Sequence, residues 1–154
     1  MPAQFSVSRT IRIAAAPTAV WPHIASLREW ERWSPWERRD PHVERSYAGP
    51  EQGAGASSRW SGNRRAGRGQ IEIVEAEPPH ELVALVRHER PRRTTSTTTL
   101  TLTAHDGATE VDWAMTGEMN LATRLIARCR PLDGRVGPDF ERGLQNLKRI
   151  VEDA

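Results

Sequence analysis

Hydrophobic and polar residues alternate over residues 5–13, with Phe5, Val7, Ile11 and Ile13 on one face, the period of a half-buried strand. The pattern then changes. Pro17 sits where a first helical turn tolerates proline, and Val20, Trp21 and Ile24 follow at helical spacing. Pro22 lies deeper and should kink or shorten that helix. Leu27, Trp30 and Trp33, three apart, predict a second short helix that ends at the Ser34-Pro35 step. From about residue 43 come six β runs: "VERSYA", "GASSRWSG", "RGQIEIVEA", "ELVALVRH", "TSTTTLTLTA" and "TEVDWAMTG". The separators "GPEQG", "GNRRAG", "EPPH", "ERPRRT" and "HDGA" carry turn chemistry, so the runs predict an antiparallel meander. In the last run Val111, Trp113 and Met115 share one face, while Glu110, Asp112 and Thr116 share the other; one side of the sheet is wet. Both faces of "ELVALVRH" are apolar, which leaves its parity open.

After the meander, residues 120–134 predict a short amphipathic helix capped by Asn120, with Leu121, Leu125, Ile126 and Cys129 on its apolar side, ended by Pro131 and Gly134. Phe140, Leu144, Leu147 and Val151 then follow the 4-3-4 spacing of a core-facing helix, with Pro138 and Asp139 suited to its start. Gly143 costs this helix about 1 kcal/mol relative to alanine, a cost compatible with close approach to the sheet. A long last helix on the concave side of a curved sheet of six or seven strands gives every apolar face a partner. It also leaves room for a hollow.

Composition narrows the class. A chain of 154 residues is the size of one domain, 1–154, able to bury a core without a metal or disulfide. The lone Cys129 lies near no zinc or haem spacing, and a reducing, cytoplasmic home is expected. The N-terminus lacks a charged stretch followed by an apolar one, and no apolar run approaches the roughly 20 residues of a membrane span, so a soluble, unprocessed protein is expected. Formal net charge is only +2, yet every basic residue but Lys148 is arginine. Three of the six tryptophans fall in "WERWSPW", residues 30–36. Fully exposed they would show roughly 450 to 750 Å² of aromatic surface, as much as the largest apolar patch of a typical monomer or more. Most of that surface should face something apolar.

The order and spacing of "IAAAPTAVWPHIASLREWERWSPW", "GPEQGAGASSRWSG", "TEVDWAMTG" and "GPDFERGLQNLKRIVED" resemble the SRPBCC superfamily, the helix-grip fold of START lipid-transfer domains, birch-pollen-type allergens and the bacterial polyketide cyclase/dehydrase group. The resemblance implies an α+β, β-α-α-β6-α architecture with about seven strands wrapped around a long C-terminal helix. It also implies a cavity between sheet and helix for a lipid, fatty acid or polyketide-like aromatic. Members bind, carry, cyclise or sense ligands, so the fold leaves the chemistry open.

On this frame the expected cavity wall comprises Trp33, Trp36, Tyr47, Trp60, Ile71, Ile73, Leu100, Leu102, Val111, Trp113, Met115, Phe140 and Leu144. Trp21 and Trp30 are assigned to core packing; Trp60 and Trp113 suit core and cavity equally. Alternate turns of a meander emerge at one end, which brings Arg64 and Arg65 beside Arg90, Arg92 and Arg93, with Arg124, Arg128 and Arg130 starting from the same end. In helix-grip relatives the cavity opens there. Arg64, Arg65, Arg92 and Arg93 therefore form either a cationic rim for an anionic amphiphile, an acidic carrier protein or a membrane surface, or simply a solvated loop set. Nucleic acid is not expected, because the basic turns lack interleaved aromatics and 20 acidic residues nearly balance 22 basic ones. No nucleophile, metal or phosphate-loop motif is present, and the five histidines show no ligand spacing. No metal or cofactor is expected. His88 and Tyr47 are the only candidates for acid–base work, as in a cyclase or dehydratase, and each is also an ordinary polar edge group. The readings are then a non-catalytic binder of a hydrophobic small molecule, a cyclase or dehydratase, or an interaction module with a filled core. Oligomeric state, monomer or homodimer, stays open.

Overall fold

The computed structural model describes residues 3–36, 42–64, 66–90, 92–119 and 132–154. Among them the chain forms β1 (Ala3–Ile13), α1 (Pro17–Ala25), α2 (Leu27–Trp33), β2 (Glu44–Ala48), β3 (Ser57–Ser61), β4 (Arg68–Glu77), β5 (Glu81–Arg90), β6 (Thr94–His105), β7 (Ala108–Met119) and α3 (Leu132–Glu152). The strands make one antiparallel seven-stranded sheet in the order β1-β7-β6-β5-β4-β3-β2. Strands β2 to β7 are thus a meander, and β1 closes it by pairing with β7 from Ile13↔Thr109 to Ala3↔Met119. This is the helix-grip architecture, with α3 as the gripped helix.

The helices differ from expectation in one place. The stretch with Gly134 and Pro138 reads as a break, yet α3 runs through both from Leu132. Pro138 forfeits only the backbone bond to the Gly134 carbonyl, and Gly134 is exposed, so water can take that acceptor. Of the capped helix expected over 120–134, residues 120–131 lie outside the described residues, and 132–134 belong to α3. Pro22 is inside α1, which ends three residues later at Ala25.

Tryptophan ties the two short helices together. The indole N–H of Trp30 donates to the Ile24 carbonyl (2.7 Å) and that of Trp33 to the His23 carbonyl (2.8 Å). Both acceptors lie in the last turn of α1, where carbonyls have no helical partner. So α2, too short to persist alone, is pinned to α1 by its own aromatic face.

The core beneath consists of Val7 and Ile13 from β1, Val20 and Ile24 from α1, Leu82, Leu100, Leu102, Val111 and Trp113 from the sheet, and Phe140, Leu144, Leu147 and Val151 from α3. Gly143 lets α3 approach the sheet closely: a Cβ there would lie 2.9 Å from Trp113 and 3.0 Å from Pro35. The parity of β5 is resolved: Leu82 and Ala84 are buried inward, while Val83 and Leu85 are half-buried outward.

Candidate functional site

Antiparallel register arranges the inward side chains in rows across the sheet. Nearest the 62–67 and 91–93 turns, one row holds Arg45, Trp60, Gly69 and His88. The next holds Tyr47, Ser58, Ile71, Val86, Ser96 and Gly117. Then come Ile73, Ala84, Thr98 and Met115, and below them Leu82, Leu100 and Trp113.

A partly open hollow of about 330 Å³ occupies the upper rows. The sheet contributes Arg45, Ser58, Trp60, Ile71, Val86, His88, Ser96, Thr98, Trp113 and Met115. Leu27, Trp30, Ser34 and Trp36 close one side, Val136, Asp139 and Phe140 another, and Val43 and Ala66 border it at the turn end.

Of the side chains expected to line a cavity, Trp36, Trp60, Ile71, Trp113, Met115 and Phe140 border the hollow. Trp33, Ile73, Leu100, Leu102, Val111 and Leu144 do not: they are buried in the solid core. The reason is α2. Trp33 stands 5.0 Å from Trp30 and 5.4 Å from Trp113, centroid to centroid, and plugs the deep half of the sheet. Tyr47 is also absent from the wall; its hydroxyl donates to the Glu31 carboxylate and the Arg28 guanidinium lies 4.2 Å from its ring centroid. Trp30, assigned to the core, is both buried and part of the wall.

The polar lining was not anticipated apart from His88. Parity carried the signal: Ser58 is two residues from Trp60, Ser96 and Thr98 share the parity of Leu100, and Arg45 that of Tyr47. Val136 borders the hollow from the part of α3 that starts earlier than its breakers imply, and Asp139 borders it from the expected first turn.

Each polar group has a defined setting. Trp36 donates its N–H to Asp139 (3.1 Å), which also accepts from Arg142. Trp113 donates to the Thr98 hydroxyl (2.9 Å), which itself donates to the Ala114 carbonyl at 3.3 Å. The Trp113 ring stacks on Phe140 at 4.0 Å, and Trp36 meets both edge-on. Trp60 donates to the Ala66 carbonyl (3.0 Å), and its benzo ring lies over Gly69, where a Cβ would sit 2.7 Å away. Its edge contacts the His88 ring at 5.5 Å. Burial pushes the His88 imidazole below the ordinary histidine pKa, which favours its neutral form. His88 Nδ1 lies 3.3 Å from the Thr94 hydroxyl. Arg45 pairs with Glu31 at 3.8 Å, a charge contact longer than a hydrogen bond.

Arg64, Arg92 and Arg93 are exposed at the same end of the sheet as the hollow and do not border it. Arg65, Arg124, Arg128, Arg130 and Cys129 lie outside the described residues. Among the described residues no three His, Cys, Asp or Glu side chains cluster to hold a metal. No helix among them is long and apolar enough to cross a membrane.

A sheet gripping a helix over an aromatic hollow defines a helix-grip protein of the SRPBCC superfamily. The chain belongs to the family described as polyketide cyclase / dehydrase and lipid transport, whose model matches residues 4–152. Its fold is similar to norcoclaurine synthase from Thalictrum flavum (TM-score 0.76, 9% identity, 99% of this chain and 96% of that one). It is likewise similar to protein MLL2253 from Mesorhizobium loti (TM-score 0.70, 16% identity, 97% and 98%). The Aha1 dimer from Colwellia psychrerythraea is a third such structure (TM-score 0.63, 15% identity, 96% of each chain). At these identities the likeness is one of fold alone. No curated protein matches the chain.

Proposed function

We propose that the protein binds a hydrophobic or amphiphilic small molecule in the hollow between the sheet and α3. The observation that carries this reading is the hollow itself: about 330 Å³, walled by Trp30, Trp36, Trp60, Trp113 and Phe140 and dotted with a few polar groups. Small-molecule sites have this character, with volumes of roughly 300 to 1,000 Å³. A filled-core interaction module needs no such space. The exposed Arg64, Arg92 and Arg93 at the same end favour an anionic head group, or an acidic carrier protein or membrane that delivers the guest. The working picture is one domain, monomeric or homodimeric, in the cytoplasm.

Titration with fatty acids and polycyclic phenols, followed by tryptophan fluorescence and native mass spectrometry, tests this reading. Saturable quenching and a mass shift of one guest per chain are expected. A protein that neither co-purifies with a ligand nor responds to any of these has no binding hollow.

A second reading, a cyclase or dehydratase, draws on one observation: His88 borders the hollow with Ser58 and Ser96, and burial favours its neutral form. A neutral imidazole can accept a proton from a bound chain and return it. Norcoclaurine synthase is an enzyme on this fold. Turnover decides between the two, since a carrier releases its guest unchanged.

A further inference from the structure

The hollow is graded. The row nearest the turns carries Arg45 and His88, and the next carries Ser58 and Ser96; below them lie Met115, Trp113 and Phe140. A guest therefore meets its polar partners at the mouth and its apolar ones at depth. Between Arg45 and His88, Trp60 lies down across Gly69, held by its bond to the Ala66 carbonyl. The indole borders the hollow there, an aromatic surface against which a flat ring can pack.

Among the described residues, two groups that border the hollow carry full charge. Asp139 is engaged by Trp36 and Arg142. Arg45 is the cation; it keeps its 3.8 Å charge contact with Glu31, and the several N–H donors of its guanidinium fork match the two oxygens of a carboxylate. Among the described residues the other charge bordering the hollow is the Asp139 carboxylate, which disfavours a doubly charged phosphate beside it. Resting on the reading of the hollow as a binding site, we propose that its guest is a flat aromatic carboxylic acid, inserted rings first, with its carboxylate on Arg45 and its ring plane on Trp60. His88 contributes a hydrogen bond at the same level.

Calorimetric titration with 2-naphthoate, 2-naphthylmethanol and 2-naphthylmethylammonium tests this. A charge-assisted bond makes naphthoate about tenfold tighter than the alcohol, with the ammonium weakest. Arg45→Gln brings naphthoate down to the affinity of the alcohol measured on the same variant. Naphthoate no tighter than the alcohol, or a preference that survives Arg45→Gln, overturns the proposal. If Arg45→Gln does not fold, Arg45→Met serves, because it keeps the apolar stem and removes the charge; an undiminished preference there is equally fatal. Alcohol binding without acid preference sinks this inference alone, whereas failure of all three probes removes the binding hollow itself.

Discussion

Trp113 and Phe140 stack face to face, ring centroids 4.0 Å apart and planes within 1° of parallel. One ring belongs to β7 and the other to α3, so the pair clamps the long helix to the sheet and forms the floor of the hollow. Phe140→Ala should destabilise the fold by about 3–5 kcal/mol, read from denaturant midpoints. A loss under about 1 kcal/mol would mean the stack is dispensable.

Thr98 gives a sharper test of the same floor. Its hydroxyl accepts the Trp113 indole N–H in a buried setting. Thr98→Val keeps the shape and strands that donor, which should cost about 1–3 kcal/mol. Thr101→Val, on the outer face of the same strand, should change stability by less than about 0.5 kcal/mol.

Gly69 holds Trp60 in place by lacking a side chain. A Cβ there would lie 2.4 Å from the Arg87 carbonyl oxygen as well as 2.7 Å from the indole. Gly69→Ala should cost about 1–3 kcal/mol by overpacking and shift the Trp60 emission, with guest affinity falling in parallel. Unchanged emission and affinity would show that the ring is not positioned by this glycine.

Acid should expose the cost of burying His88. Its imidazole titrates below the ordinary histidine value when folded, because burial disfavours the cation. The unfolded chain therefore holds more protons below about pH 6.5, so stability is fully present above that pH and declines as acid is added. His88→Gln should flatten the stability profile between about pH 7 and 5. Parallel profiles for the two proteins would contradict this.

Charge at the turns can be tested apart from the hollow. Replacing Arg64, Arg65, Arg92 and Arg93 with glutamine should weaken binding of anionic amphiphiles and reduce its salt dependence, leaving neutral guests unaffected. Identical salt profiles would leave these arginines as solvated turns.

Much of this architecture is legible in the chain. Period two exposes Phe5, Val7, Ile11 and Ile13 as one strand face, and the i, i+3 spacing of Leu27, Trp30 and Trp33 exposes α2, because both signals are local. The start of α3 is not legible: Gly134 and Pro138 are breakers by local rules, and the helix absorbs the loss at an exposed carbonyl. The site is half legible. Parity assigns residues to the concave face, but which rows stay hollow depends on where α2 drops its tryptophans, and that depth is a tertiary outcome. So Trp60 and Ile71 border space while Leu100 and Val111, on equally inward positions, are sealed.

The pairing of β1 with β7 also bears on how the chain is made. Ile11 waits for Val111, a partner one hundred residues further on. Ribosomes add about 5–20 residues per second, so the first strand stays unsatisfied for on the order of 5–20 s while the rest emerges. Closing so long a loop is entropically costly before any contact rewards it. Synthesis should therefore yield a meander first and a sealed sheet last, with β1 docking as the slow, final event and the stage most open to chaperones or to misassembly.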